Sequence, residues 1–120
     1  MTECDHGTVV NTLHDELEAM GREAYSTRKI DLFLADRDAN ITHVLEIKTD
    51  QCTSSIYQAV GQVMLHGVLE KSDPHRILVL PGILSADTVA RLKRLGIRVL
   101  SYAWKGEKPI FDGLKGVLNS

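Results

Sequence analysis

The sequence predicts an α/β (α+β) domain: an αβββαβ core with a mixed central sheet flanked by helices, followed by a C-terminal αβ extension. Three observations carry this. Residues 8–20 have helical periodicity. Residues 23–48 hold three β-patterned runs, the last two joined by a short turn. Beyond them, helical runs at 56–70 and 86–95 alternate with apolar runs at 76–80 and 97–102. A meander that feeds α-β units builds a mixed sheet with helices on both faces.

In the first helix Val9, Leu13, Leu17 and Met20 share one face, and Gly21 follows as a stop signal. Glu16 sits at the edge of that apolar face, where a carboxylate could reach a site on the sheet beneath; Glu18 points away. Residues 23–28 read as a short strand and residues 30–35, IDLFLA, as a stronger one. In the latter Ile30, Leu32 and Leu34 share a face, and Asp31, Phe33 and Ala35 the other. The turn Asp36-Arg37-Asp38-Ala39-Asn40 leads into ITHVLEIK at 41–48, which completes an antiparallel hairpin. There Val44, Glu46 and Lys48 share a face opposite His43, Leu45 and Ile47.

A polar loop from Thr49 to Ser55 precedes the second helix, with Ser54 or Ser55 as its cap. That helix is apolar on two sides: Ile56, Val60, Val63 and Gly67 on one, Leu65 and Leu69 on the other, with Val68 between. Burial on both sides is expected, against the chain's own tail or a second copy. Ser72-Asp73-Pro74 ends the helix. RILVL at 76–80 reads as a central strand covered on both faces. Ser85 caps a helix over 86–95 that Gly96 closes, and IRVLSY at 97–102 is the last core strand. Residues 108–111 read as a short edge strand, beyond which Gly113 and Gly116 loosen the pattern.

At 120 residues the chain suits one compact domain spanning 1–120. No apolar run is long enough to span a bilayer, and the acidic N-terminus lacks signal-peptide character, so a cytoplasmic setting is the default. Cys4 and Cys52 fit a reducing compartment as free thiols. The net charge of -2 hides an asymmetry: residues 1–60 hold 5 Lys/Arg and 11 Asp/Glu, residues 61–120 hold 9 and 5. Such a division suits a metal site beside a phosphate-binding surface, and ordinary surface scatter produces it equally.

Chemistry concentrates where charge interrupts the strands. Glu46 and Lys48 project on one face, and hairpin pairing can set Asp31 beside them. Asp is disfavoured inside strands, so its presence there needs a reason. Two adjacent carboxylates repel, and a divalent cation with a preference for hard oxygen, Mg²⁺ or Mn²⁺, relieves that repulsion. The Ile47 carbonyl could add a ligand. A cation so held activates water and neutralises a phosphoryl oxygen, while the Lys48 ammonium could orient that water or stabilise the transition state. A Glu-x-Lys triplet by itself is also what a surface salt bridge looks like.

Asp31, then Glu46-Ile47-Lys48, then a glutamine-bearing helix resembles the PD-(D/E)xK nuclease superfamily, which has the restriction-endonuclease-like fold. The element order over residues 8–102 agrees with that resemblance. It implies an Mg²⁺-dependent phosphodiesterase acting on nucleic acid, DNA ahead of RNA. It implies Asp31 and Glu46 as metal ligands, Lys48 as the catalytic lysine, Glu16 as a first-helix carboxylate added to the metal site, and Gln58 or Gln62 as the helix glutamine. Ile30 stands where that superfamily frequently has proline, and no DNA-recognition insertion is evident. Arg91, Lys93, Arg94 and Arg98, then Lys105, Lys108 and Lys115, are candidates for phosphate contacts. No aromatic interleaving suggests base stacking.

Other chemistries lack their signatures. His6, His14, His43, His66 and His75 show no zinc spacing, and His43 reads as structural. No serine has a nucleophile-elbow context and no glycine loop suits a phosphate. The expectation is a small divalent-metal-dependent nuclease, plausible as a homodimer through the two-sided helix and as the catalytic part of an assembly with a recognition or sensor domain. The competing expectation is a restriction-endonuclease-like fold without catalysis, serving as a nucleic-acid-binding or assembly module. It predicts no response to divalent ions.

Overall fold

The computed structural model describes residues 3–28, 30–68 and 73–119. Leu69 and Ser72, and the side chains of Cys4, His66 and Val68, lie outside the described residues. The elements run α1 (Glu3–Ala19), β1 (Ala24–Tyr25), β2 (Leu32–Ala35), β3 (Ile41–Ile47), α2 (Thr53–Val68), β4 (His75–Pro81), α3 (Ala86–Arg94), β5 (Ile97–Lys105), β6 (Lys108–Asp112) and α4 (Leu114–Asn119). One six-stranded sheet has its strands in sequence order. The β3–β4 and β4–β5 pairs are parallel and the others antiparallel, which is the mixed sheet the sequence predicts.

Strand alternation divides the core in two. Leu32, Leu34, Leu45, Ile47, Ile77, Val79, Leu100 and Tyr102 face α1 and α4, where Val9, Leu13, Leu17, Leu114 and Leu118 meet them. Val44, Leu78, Leu80 and Ile97 face α2 and α3, meeting Ala59, Val63 and Leu92. The apolar stripe expected on α1 is buried as a unit, with Met20 packed at its end. The chain leaves α1 through Gly21, whose φ of 80° is left-handed.

Some local expectations shift. Asp31 lies one residue before β2, and Lys48 one residue beyond β3, so neither is inside a strand. α2 begins at Thr53, before either serine expected to cap it. The Cys52 carbonyl accepts from the Ile56 amide at 3.0 Å. Asp50 Oδ1 accepts from the Cys52 amide at 2.9 Å, and its carboxyl is held low first by a bond from Ser55. Ser85 does cap α3, accepting from the Thr88 amide.

The second apolar side of α2 remains open: Tyr57 is 72% exposed and Leu65 67%. The tail packs elsewhere, as an unexpected α4 on the α1 face. His43 Nε2 donates to the Leu118 carbonyl (3.0 Å) and Arg98 to the Val117 carbonyl (2.8 Å), so two buried or half-buried side chains close the C-terminal end of this short helix.

Candidate active site

Leu32 pairs with Leu45 across the β2–β3 hairpin, so the next position outward sets Asp31 opposite Glu46. Glu46 is only 2% exposed, in register with Leu78 of β4. Asp31 Oδ2 accepts from the Ile47 amide at 2.9 Å and lies 3.3 Å from His6 Nε2 on α1. A side-chain hydrogen bond joins the two acids. Burial pushes the Glu46 carboxyl up to about 8, the Asp31 charge adds to this, and Lys48 opposes it. Near neutral pH the pair therefore retains a proton that two separate carboxylates would have lost.

Lys48 is held from two sides. Its amide donates to the Val79 carbonyl (3.0 Å), and its carbonyl accepts from the Tyr102 hydroxyl (2.9 Å). The Tyr102 hydroxyl is pushed up to about 12, chiefly by burial and further by Asp5 and Asp50, so it stays a donor. With its backbone so fixed, Lys48 extends its ammonium to Gln58 Oε1 on α2, 3.1 Å away. The loop between β3 and α2 is tied down as well. Gln51 Nε2 donates to the Pro81 carbonyl, and a Cβ on Gly82 would stand 3.0 Å from that nitrogen. Gly82 has φ +74°, so this close approach favours glycine twice over.

The structure thus brings together Asp31, Glu46, Lys48 and Gln58. Gln62, one turn further along α2, has a buried Oε1 with no hydrogen-bond partner. Glu16 is not part of the group. It lies ten residues beyond His6 on α1, about 15 Å along the axis at 1.5 Å per residue. The helix therefore presents His6, not Glu16, to Asp31. The basic residues of α3 are displaced too. Arg91, Lys93 and Arg94 occupy its last turn, at the end of the sheet where β5 begins, whereas Lys48 departs where β4 and β5 run out. Arg91 is paired with Asp87 at 3.2 Å, and Arg98 is engaged with α4. Lys105, at the end of β5, is exposed on the same end of the sheet as Lys48.

Sequence reasoning missed His6 and Tyr102. His6 fell before the expected start of α1, and Tyr102 read only as a strand residue; no local pattern marks either. Their roles come from sequence separations of 25 and 54 residues that only the fold closes.

Two adjacent acids, one buried and one hydrogen-bonded, form a hard-oxygen donor set of the kind that takes Mg²⁺. A strand residue's N–H and C=O point to the same side, so the Ile47 carbonyl shares the side on which its amide meets Asp31. Among the described residues no three His, Cys, Asp or Glu side chains gather as a metal-holding group. An ion here would draw its remaining ligands from backbone, water or a phosphate, which is the common habit of Mg²⁺.

Among the described residues no helix is long and apolar enough to cross a membrane. No protein-family model and no curated protein sequence matches the chain. Among solved structures, a repair endonuclease from Pyrococcus abyssi superposes with a TM-score of 0.58 at 18% sequence identity, over 78% of this chain and 45% of that one. This chain therefore spans less than half the length of the endonuclease whose fold it shares.

Proposed function

We propose that the chain is a divalent-metal-dependent nuclease domain of the PD-(D/E)xK type, hydrolysing phosphodiester bonds in nucleic acid, DNA ahead of RNA. The observation that carries the reading is the Asp31–Glu46 acid pair with Lys48 fixed beside it. A fold in common with a repair endonuclease supports it.

Asp31 and Glu46 would hold Mg²⁺ or Mn²⁺, with the Ile47 carbonyl on the same side. The bound ion supplies activation of water and neutralisation of charge on the phosphate. Asp31 is aimed by the Ile47 amide and by His6, so its carboxylate needs no rearrangement to serve. Glu46 must give up its proton for the ion to bind, so binding strengthens as pH rises. Lys48 directs its ammonium to the attacking water or a non-bridging phosphate oxygen, while Gln58 accepts one of its hydrogens and fixes its direction. Of the basic candidates, Lys105 sits at the correct end of the sheet to meet flanking phosphates. The open Tyr57–Leu65 side of α2 suits a second copy of the chain, giving a homodimer with two sites. A recognition or sensor domain, fused or separate, would supply grip that so small a domain lacks.

The test is cleavage of plasmid and oligonucleotide substrates, DNA and RNA, in Mg²⁺, Mn²⁺ and EDTA, with Glu46→Gln and Lys48→Ala beside the parent. Cleavage that needs the ion and both residues is the expected result. A parent that cuts neither nucleic acid in either metal returns the chain to the competing reading, a non-catalytic binding or assembly module.

A further inference from the structure

The β1–β2 end of the sheet carries a feature that metal chemistry leaves unused. Tyr25 and Phe33 are direct cross-strand partners, their ring centroids 5.4 Å apart and planes 27° from parallel. Tyr25 is 44% exposed and Phe33 half-buried. The pair lines an open groove of about 860 Å³, together with Arg22, Glu23, Asp36 and Arg37. α2 packs over β3 and β4, whereas α1, which contacts β1, lies on the opposite face with Ala24 and Leu34.

Position ties the groove to the acid pair. Phe33 pairs with Val44, two residues along β3 from Glu46, so the groove and the acid pair are neighbours along the hairpin. With α2 over β3 and β4, the groove is the open ground beside the acid pair for a strand whose phosphate would lie at Asp31 and Glu46. The two acids of the groove are occupied within it. Glu23 Oε2 accepts from the Tyr25 hydroxyl at 2.6 Å, and Asp36 Oδ1 accepts from the Asp38 and Asn40 amides. Arg22 and Arg37 are left to offer positive charge to phosphates.

We propose that Tyr25 and Phe33 form a stacking platform for an unpaired base of a single-stranded nucleic acid, laid in the groove beside the acid pair. The proposal rests on the nuclease reading for the direction of the strand and names its substrate class. A free π-face takes any base whose own stacking partner is missing, so a strand end, flap or loop fits and an intact duplex does not. Cross-strand aromatic pairs also occur simply as sheet packing; what separates the two roles is dependence on the base.

The experiment is fluorescence anisotropy with a labelled oligodeoxythymidine, an abasic strand of equal length, and a duplex. It is run in EDTA so that nothing turns over. Tyr25→Leu and Phe33→Leu keep the apolar volume while removing the ring, and circular dichroism with Trp104 fluorescence verifies that both fold. The parent is expected to bind the oligodeoxythymidine about 5- to 100-fold tighter than the abasic strand or the duplex. Each leucine variant should lose most of that preference while its affinity for the abasic strand stays put. A parent that does not distinguish base from abasic, or folded leucine variants that bind within about twofold of the parent, overturns the platform. Cleavage in Mg²⁺ is scored separately. Ring-dependent binding without cleavage keeps the platform and removes the nuclease; cleavage with ring-independent binding does the reverse.

Discussion

Glu46 of β3 and Asp31, one residue before β2, face each other across the hairpin and share a hydrogen bond between their side chains. That bond needs a proton, and burial together with the Asp31 charge keeps it on Glu46 to about pH 8. The folded chain thus binds more protons than the unfolded one between the ordinary carboxyl value of 4.5 and about 8. The associated stability is complete below the lower value and lost as pH rises through the upper one, with a slope of up to about 1.4 kcal/mol per pH unit. Glu46→Gln mimics the protonated acid. In urea titrations with EDTA it should flatten this slope and be the more stable protein above pH 8. If the pair holds the proposed ion, saturating Mg²⁺ should flatten the slope of the parent, since the ion would take the place of the proton. Parallel pH curves for parent and variant would falsify the shared-proton account.

His43 produces the opposite limb. It is 5% exposed, and burial holds its imidazole below the ordinary 6.5 despite the Leu118 carbonyl, which pulls the other way; His75, Arg22 and Arg98 add to the lowering. The unfolded chain takes the proton first, so stability falls as pH drops below 6.5. His43→Ala also strands the Leu118 carbonyl and should cost about 2–3 kcal/mol at pH 7. Loss of hydrogen-exchange protection should concentrate in α4, because His43 and Arg98 are what hold its last carbonyls. Exchange that rises evenly over the whole chain would show that α4 does not depend on this clamp.

Under the proposed nuclease reading Gln58 acts through Lys48, to which it is hydrogen-bonded, and a cycle of variants tests this. Lys48→Ala should lower the cleavage turnover by about 10²–10³-fold, the usual effect of removing one transition-state donor. Gln58→Ala should lower it by about tenfold with substrate affinity unchanged, because only the aim of the ammonium is lost. In the double variant the Gln58 effect should vanish. An additive double variant would give Gln58 a role of its own.

The order of layers was legible because each half of the chain repeats one pattern: period 3.6 in α1, alternation in β2 and β3, a doubly buried run in β4. Glu46 was legible because a charge inside an apolar strand conflicts with its surroundings; Asp31 and Lys48 were singled out on the same ground, although they stand one residue outside β2 and β3. Three things escaped for physical reasons. α4 carries two leucines in a short stretch loosened by Gly113 and Gly116, and they have no meaning until Leu114 and Leu118 meet the α1 face. Glu16 looked suitable because helical phase shows which face a residue takes but not which end of the sheet its turn overlies. Tyr25 and Phe33 stand eight residues apart on different strands, so scanning for neighbouring aromatics passed over a pair that β1–β2 register makes.

His6 of α1 touches Asp31 of the acid pair, and its contribution should be visible without any turnover. Its ring nitrogen lies 3.3 Å from Asp31 Oδ2, the oxygen that also accepts the Ile47 amide. A second donor on that oxygen fixes the plane of the carboxylate. Second donors of this kind commonly carry about 10- to 100-fold in metal affinity. His6→Ala should therefore weaken Mn²⁺ binding by that factor in calorimetry, while His6→Asn or His6→Gln, which keep an N–H donor, should recover part of it. His6 is partly exposed and outside the buried cluster of α1, so thermal stability in EDTA should change little. Mn²⁺ affinity unchanged in His6→Ala would mean that the Ile47 amide alone orients Asp31.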